Sequence, residues 1–558
     1  MQAMKTETRV AKRIALGVGL CLALGITAVL VWLRPTGPER HGIGMALVLE
    51  KQEEYRRDLI KEGRHLNDLE PWQILEEVSR RAGLSQAGVK GLVKLARNAR
   101  DAELKVDALL LAGEAETAAA LAQQRADALM KTNSGKVAGV FRRAADGYWR
   151  MALFKEASEC LKKAGADAQM DLAMLHWGQA NFHPEDVRAE LDAANEAVSG
   201  VLDRLDRKTN PVDFAVAKRL QGNVHVRLAL LRKAQFGERD MVQLGEGERS
   251  LREATESVDR AAEPELWATT LHDLAVVLME RSLTEIQPFQ MQEEAVALLA
   301  KVLEVRSGKV GNGTMKADAL ATQLTERAET LAFQSLALAR LAEVKIAADL
   351  EKTPADLAIA VAESALALAQ PQDPGATWFV AHVAKLKAML SAKVKPASAE
   401  GSKVDPSEWV SAVEKAVQHY PVQFENQPAV PSRAEVMALG SAILPKCVGL
   451  EPEQARAQAA RMVDIFTPLV KSGTLSEKNG GNAVVKTLAL WNFVKNSKDP
   501  IKAIRAGYVP SPPIPSKIEY WNEAERLPVS CWRYPFPPGR LWKGQMNRAR
   551  GILDGYRR

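Results

Sequence analysis

The sequence predicts an all-α protein: a solenoid of antiparallel helical hairpins behind a single N-terminal transmembrane helix, followed by an irregular C-terminal arm. Three observations predict this architecture. Residues 14–33 are an apolar run without a charge, residues 44–390 repeat apolar side chains at three- and four-residue spacings, and residues 508–558 concentrate proline and aromatic residues. The fold class therefore follows from hydrophobic periodicity and from the places where that periodicity stops.

The apolar run over residues 14–33 is long enough to cross a membrane. At about 1.5 Å per residue, a helix of this length spans a hydrocarbon core of roughly 30 Å. Four cations precede the run within residues 1–13, whereas only Arg34 and Arg40 follow it closely. The positive-inside rule therefore predicts that residues 1–13 are cytoplasmic and that the body of the chain lies on the non-cytoplasmic side, periplasmic or extracellular.

A cleaved signal peptide is the alternative interpretation of this run. The apolar segment of a signal peptide has about 7–15 residues and is followed by small residues at the cleavage site. Here the run is longer and ends in bulky residues at 31–33, so we predict an uncleaved signal anchor. Gly17, Cys21 and Gly25 place small side chains on one helix face, which would let two copies of the chain pair as a homodimer.

The region over residues 44–394 is predicted to be helical nearly throughout. Clusters of helix-breaking residues are confined to short stretches such as 133–135 and 308–313, and the alternating β-branched windows typical of strands are missing. Residues 395–406, rich in Pro, Ser, Ala and charge, are predicted to be a linker. A smaller helical region is expected over residues 407–507.

The clearest repeating unit covers residues 137–167, with the sequence VAGVFRRAADGYWRMALFKEASECLKKAGAD. Its pattern of small and large apolar residues resembles a tetratricopeptide repeat, an antiparallel pair of helices of about 34 residues. The residues that match the motif are, in chain order, Phe141, Ala144, Ala145, Tyr148, Phe154, Ala157, Leu161 and Ala164. The small alanines would let the two helices approach each other while the larger residues fill the seam between them.

Weaker copies of this unit follow at wider intervals. Their second helices are marked by Ala254, Val258, Ala261, Ala295, Leu299, Val302, Ala358, Ala362, Ala365, Trp409, Val413 and Ala416. Matching first helices are predicted over residues 214–231, 266–283, 326–344 and 377–390. The resemblance extends over residues 137–421, about half the chain, and a non-repeating helical bundle is the alternative.

Residue patterns that carry metal, nucleotide or covalent chemistry are missing from the sequence. The eight histidines form no H-E-x-x-H motif and have no C-x-x-C partner, and the pair Gly135-Lys136 lacks the rest of a phosphate-binding loop. There is no G-x-S-x-G motif, and Cys160 is expected in the core. We therefore predict no metal site, no cofactor and no enzymatic activity. Spacing leaves open whether Cys447 and Cys531 form a disulfide.

Positive charge is concentrated at the C-terminal end of the chain. The formal net charge is +6, and residues 501–558 contain eleven Lys or Arg against four Asp or Glu, which leaves the remainder of the chain at −1. A nucleic-acid-binding domain carries a basic stripe over one of its faces instead. We therefore expect no nucleic-acid partner.

The resemblance to tetratricopeptide repeats implies a groove for partner peptides, lined by the first helices. In the best-matching unit, Arg142, Trp149 and Arg150 lie one step beyond the seam, where a tryptophan beside two arginines would suit an acidic or extended peptide. Packing of Trp149 under a neighbouring repeat is the alternative. Asp146 replaces the asparagine with which one subgroup of the family grips C-terminal carboxylates, so that clamp is not predicted.

The arm over residues 508–558 is a second candidate for partner binding. It interleaves aromatic residues and cations with eight prolines, and its candidate contact residues are Trp532, Arg533, Tyr534, Arg540, Trp542 and Lys543. An exposed arm could bind a protein groove in a polyproline-like conformation, stack on sugars or contact anionic lipid. Folded back, it would cap the open end of the solenoid.

These observations predict a membrane-anchored, non-enzymatic scaffold for protein–protein interactions in the cell envelope, supporting secretion, assembly or folding. The layout resembles single-anchor bacterial repeat proteins, which is a comparison of architecture only. The alternative is an envelope-polymer binding protein that holds a glycan or an anionic polymer through the basic aromatic arm.

Overall fold

The computed structural model describes residues 38–506 except 63, 133–134, 181–185, 237–238, 284–287, 310–316, 348–352, 370–375, 393–405, 419–427, 432 and 472–480. Within this part of the chain every regular element is a helix, which confirms the all-α class. The predicted membrane span and the C-terminal arm lie outside the described residues. Of the helices that are described, none combines the length and apolarity needed to cross a membrane.

The described helices belong to two compact units. Of the described residues, the first unit holds those from Pro38 to Leu59 and from His65 to Ala168, and the second holds those from Ile60 to Arg64 and from Gln169 onward. The helices of the first unit are α1 (Pro38–Lys61, ending in the second unit), α2 (Pro71–Arg81), α3 (Gln86–Ala96), α4 (Ala102–Leu111), α5 (Ala115–Met130), α6 (Val137–Arg150) and α7 (Phe154–Ala164).

The second unit is an array of longer helices. They are α8 (Gln169–Gln179), α9 (Val187–Leu202), α10 (Pro211–Phe236), α11 (Met241–Ser257), α12 (Pro264–Arg281), α13 (Pro288–Lys309), α14 (Ala317–Ala347), α15 (Thr353–Leu368), α16 (Thr377–Ala392), α17 (Pro406–Gln418), α18 (Arg433–Ile443), α19 (Pro452–Lys471), α20 (Gly481–Asn496) and α21 (Pro500–Ala506).

Local sequence sets the helix starts of the first unit. Pro71 is the first residue of α2, a position where its missing N–H costs nothing. The Ser85 hydroxyl accepts a hydrogen bond from the Gly88 N–H at 3.1 Å at the start of α3. Asp101 accepts from Glu103 in the same way at the start of α4. These caps satisfy amide groups that the first turn of a helix leaves open.

The predicted helical hairpins are confirmed. Helix α6 packs on α7, α10 on α11, α12 on α13, α14 on α15 and α16 on α17. In the first four pairs, connections of three to six residues make the paired helices antiparallel. Most residues predicted to mark the second helices are at most 1% exposed, namely Ala254, Ala295, Leu299, Val302, Ala358, Ala362, Ala365, Trp409, Val413 and Ala416. The two exceptions are Val258, which is 7% exposed, and Ala261, which is exposed, because α11 ends at Ser257 and both residues lie beyond it.

The structure also shifts several predicted boundaries. Helix α1 begins at Pro38 and not at residue 44. Pro406, placed in the linker by its sequence context, is the first residue of α17. Helix α10 covers Pro211–Phe236 and so extends beyond both ends of the first helix predicted over residues 214–231. The proline-rich and glycine-rich composition of such segments does not show where a neighbouring helix ends.

Gly222 of α10 and Gly247 of α11 allow these two helices to approach each other closely. A Cβ atom at Gly247 would lie 2.7 Å from Val226 Cγ2 and 3.0 Å from the Gly222 carbonyl oxygen, whereas a Cβ at Gly245 on the same helix would meet no atom within 4 Å.

We expect Gly247→Ala to lower the free energy of unfolding by about 1–3 kcal/mol, because the close-packed seam between α10 and α11 cannot admit a methyl group. Gly245→Ala is the matched control and should raise it by up to about 1 kcal/mol. Chemical denaturation followed by far-UV circular dichroism would show these opposite signs, and equal effects of the two changes would contradict the packing.

The two cysteines in the described residues are buried thiols. Cys160 lies in the core of the first unit, as predicted, and burial raises its pKa to about 11. Burial also raises the pKa of Cys447 to about 12. Its proposed disulfide partner, Cys531, lies outside the described residues.

We expect Cys160 and Cys447 to resist alkylation near neutral pH, because the thiolate is the nucleophile and neither thiol ionises or reaches solvent. Mass spectrometry of the chain after maleimide treatment would locate the modified cysteines. Both sites should react only after denaturation. Rapid modification of Cys160 in the folded protein would show that the core around α7 is open.

Candidate functional site

The three predicted groove residues of α6 all contact side chains or backbone within the first unit. Arg142 lies 3.6 Å from the Glu53 carboxylate of α1. Trp149 is 7% exposed and stacks on the His65 ring, with centroids 4.2 Å apart and planes 6° from parallel. Arg150 donates to Asn67 Oδ1 at 3.0 Å and to the Leu110 carbonyl at 2.6 Å. A partner bound at these residues would therefore have to displace contacts that the unit makes with itself.

Asp146 accepts several hydrogen bonds from other residues of the first unit. Arg56 of α1 donates to both of its carboxylate oxygens, at 2.5 and 3.3 Å, and Asn67 donates to it at 2.8 Å. Arg56 is 4% exposed and Asp146 is 7% exposed. The pair fixes α1 and the turn at residues 65–68 to α6. Asp146 thus has a partner inside the unit, at the position where the family subgroup uses asparagine.

The turn at residues 65–68 is shaped by its own side chains. The His65 Nδ1 atom accepts from the Asn67 N–H at 3.2 Å, and the Asp68 carboxylate accepts from the His65 N–H at 2.9 Å. This reciprocal cap orients the His65 ring toward Trp149 and the Asn67 amide toward Asp146. Burial lowers the pKa of Arg150 to about 10, and the side chain remains charged at neutral pH.

In the second unit the first helices of the hairpins are buried on nearly all sides. Residues 271–280 of α12 are all buried, and α14 is buried over residues 328–342 except for half-buried Gln334. A first helix in an open solenoid would expose its concave side. The unit must therefore cover these helices with other parts of its own chain.

Buried ion pairs join neighbouring first helices. Arg219 of α10 donates to the Asp273 carboxylate of α12 at 2.7 Å, and Asn223 donates to the same oxygen at 3.0 Å. Burial raises the pKa of Asp273, while Arg219 and Asn223 oppose that rise. The Asp273 charge that α12 carries into the interior is thus compensated by Arg219 of α10.

A short non-helical segment, residues 428–431, with a turn at residues 428–429, covers α12 and α14. The Ala429 N–H donates to Glu280 Oε2 at 2.7 Å, and the Ala429 carbonyl accepts from Arg340 Nη2 at 3.2 Å. Ala429, Glu280 and Arg340 are at most 4% exposed. We refer to Glu280 and Arg340 as the backbone clamp, because they bind the main chain of this segment and not its side chains.

Further charges hold the backbone clamp in place. Arg239 donates to Glu280 Oε1 at 2.5 Å, and Arg340 also contacts Glu435 Oε2 at 3.3 Å. Lys387 of α16 lies 3.0 Å from the other Glu435 oxygen. Burial alone would raise the pKa of Glu435, but Arg340 and Lys387 lower it to about 2. The stability from this carboxylate is therefore present above its ordinary pKa near 4.5 and is lost as the pH falls through about 2.

The conformation of Ala429 is part of the same arrangement. Its φ angle is +61°, in the left-handed region that residues other than glycine seldom adopt. This turn directs both the N–H and the carbonyl of one residue toward charged side chains. Peptide groups buried away from water must be hydrogen-bonded, and ionised partners make the strongest such bonds.

Sequence reasoning did not identify the backbone clamp. Glu280 and Arg340 lie inside predicted first helices but are distant from each other and from residue 429 in the chain. The available signal was the charged residue Glu280, which directly follows the apolar residues Val276–Met279. The arm residues Trp532, Arg533, Tyr534, Arg540, Trp542 and Lys543 lie outside the described residues. Across the residues that are described, no group of three or more His, Cys, Asp or Glu is placed to hold a metal ion.

Comparisons with known proteins add little to this description. No family model matches the chain, and no curated protein matches it. One similar solved structure is a "circular tandem repeat protein with novel repeat topology and enhanced subunit contact surfaces", 16% identical over 83% of this chain and 96% of that chain, with a TM-score of 0.20. A superposition that loose carries no argument about the fold. The class of protein is defined by the chain's own helices, as an all-α array of packed helical hairpins.

Proposed function

We propose that the chain is a single-pass, membrane-anchored scaffold that binds protein partners on the non-cytoplasmic side of the membrane. Residues 14–33 are the anchor and residues 1–13 remain in the cytoplasm. The hairpin array supports the proposal, because stacked hairpins offer long surfaces for protein binding wherever the chain itself does not cover them. The agreement between the motif positions and the buried seams supports a tetratricopeptide-like class for these hairpins.

The backbone clamp is the observation that carries the proposal. Two neighbouring first helices use charged side chains to satisfy the N–H and the carbonyl of a non-helical residue. A partner peptide held by its main chain needs the same two kinds of group, whatever its side chains. We therefore expect the first helices to bind non-helical chain, and residues 428–431 to occupy that surface when no partner does.

Crosslinking in intact membranes, followed by mass spectrometry of the captured proteins, tests the scaffold directly. The full chain is compared with a chain ending at Gly507, and both are checked for helical content. We expect the same protein partners with both chains, with crosslinks mapping to the hairpins. Partners that depend on the removed segment would move recognition to the arm, and the absence of protein partners with both chains would contradict a scaffold.

Binding of an envelope polymer is the competing proposal, and it depends on the sequence of the arm. Trp532→Ala with Trp542→Ala would abolish retention on insoluble cell wall if the arm stacks on glycan. Retention that survives both changes would exclude the arm as a glycan platform. The matched control is Trp72→Ala, which removes a tryptophan that is already exposed on α2.

A further inference from the structure

Helix α3 has one buried face and one face open to solvent. Val89, Val93 and Ala96 are buried. The opposite face contains exposed Lys90, Gly91, Lys94 and Leu95, and a Cβ atom built at Gly91 would meet nothing within 4 Å. Because Gly91 has no side chain, a flat surface can approach the helix closely there, with Lys90 and Lys94 on the same face.

The charge around this face has a single sign. Residues 82–100 contain Lys90, Lys94, Arg97 and Arg100 and no acidic residue. Arg97 is paired with Glu114 at 2.6 Å, whereas the other three make no ion pair within the part of the chain that the structure describes. Leu95 is 46% exposed on the same helix. An exposed leucine beside unpaired cations is the composition of a surface that contacts anionic lipid.

The position of α3 in the chain places it near the predicted anchor. Its Leu92 side chain contacts α1 at Gly44, where a Cβ atom would lie only 3.0 Å from Leu92 Cδ2. Helix α1 begins at Pro38, and the chain from Leu33 to Pro38 reaches at most about 18 Å. From Pro38 to Gly44 the helix adds about 9 Å. The contact between α1 and α3 therefore lies within about 27 Å of the end of the apolar run.

We propose that the exposed face of α3 docks on the anionic headgroups of the same bilayer that holds residues 14–33. The lysines contact lipid phosphates and Leu95 enters the headgroup layer. The docking orients the first unit against the membrane. It rests on the proposed membrane anchor, because the short connection to the apolar run brings α3 to the bilayer.

Hydrogen exchange of the full chain in lipid nanodiscs tests this docking. One set of discs contains phosphatidylcholine alone, and the other a two-to-one mixture of phosphatidylcholine and phosphatidylglycerol. We expect amides in residues 86–96 to exchange about fivefold more slowly in the anionic discs at low salt. About 0.5 M salt should remove the difference, because it shortens the screening length to about 4 Å.

Charge-reversal variants identify the residues that are responsible. Lys90→Glu with Lys94→Glu should abolish the lipid dependence, while Lys155→Glu with Lys162→Glu is the matched control and should preserve it. All four lysines are exposed in the first unit, so both variants should unfold like the original chain. Equal lipid dependence in the two variants would overturn the assignment to α3.

Different results would refute the membrane anchor and the docking of α3. Release of the chain from discs by an alkaline wash would refute the anchor and remove the basis of the docking. A retained chain with protected residues 14–33, whose α3 exchanges equally in both kinds of disc, would overturn the docking alone. Slow exchange of α3 in anionic discs at low salt only, lost with the α3 charge reversal, supports both.

Discussion

Replacing Asp146 by alanine is expected to lower the free energy of unfolding of the first unit by about 3–5 kcal/mol. The substitution removes the acceptor of the Asn67 amide and the carboxylate that Arg56 contacts with both of its terminal nitrogens. The buried guanidinium keeps the longer contact of its Nε atom with Glu53, at 3.5 Å, as an ion pair. Breaking a buried pair by removing one partner costs much more than the pair itself contributes. Thermal unfolding of the full chain, followed by circular dichroism, should show a separate early transition for this unit.

Two controls identify the cause of that loss. Asp127→Ala removes an exposed carboxylate of α5 and should change stability by no more than about 0.5 kcal/mol. Arg56→Met combined with Asp146→Ala removes both charges, and it should be less destabilising than the two single changes added together. Strict additivity of the single changes would show that the ion pair does not fix α1 to α6.

Replacing Glu280 by alanine is expected to have an effect of similar size, about 3–5 kcal/mol, and also to release residues 428–431. Arg239 would keep a guanidinium without its acceptor, and the Ala429 N–H would lose its only hydrogen bond among the described residues. Limited proteolysis would detect the release, because a freed non-helical segment between helices is readily cleaved. Chemical denaturation would give the loss in stability.

Glu280→Gln and Glu304→Ala are the controls for this change. Glutamine keeps an oxygen that can accept from the Ala429 N–H, so the segment should be cleaved more slowly than with alanine. Glu304 makes an exposed ion pair with Arg260 at 3.0 Å, and its loss should cost no more than about 1 kcal/mol. Cleavage near residue 429 that is equally slow in all variants would contradict the backbone clamp.

The hairpins were predictable because their signal is local. Alanines and leucines at three- and four-residue spacings define a helix face, and that face must be buried wherever the chain packs. The error at Ala261 shows the limit of this reasoning. The spacing of the motif continues past Ser257, but Val258 adopts an extended backbone and ends α11. Periodicity fixes the buried face of a helix better than it fixes the residue at which the helix ends.

The surroundings of the predicted groove residues were less predictable, because the residues that contact them are distant in sequence. The repeat pattern predicts that Trp149 and Arg150 lie one step beyond the seam of their hairpin. Their actual neighbours, His65 and Asn67, come from a turn whose position over α6 has no local signal. The same holds for Ala429, which meets Glu280 from 149 residues away. Sequence periodicity predicts which helix face is available and does not predict which part of the chain covers it.

A photo-crosslinking residue at position 430 would show whether residues 428–431 lie on the first helices α12 and α14 in the membrane-bound protein. A small diazirine amino acid replaces Val430 in the full chain, the protein is irradiated in its membrane, and the products are mapped by mass spectrometry. We expect intramolecular crosslinks to α12 or α14, because the neighbouring Ala429 is bound there by Glu280 and Arg340. Added partner protein should reduce these crosslinks by displacing the segment. A folded chain that never forms them would contradict a first-helix surface that binds non-helical backbone.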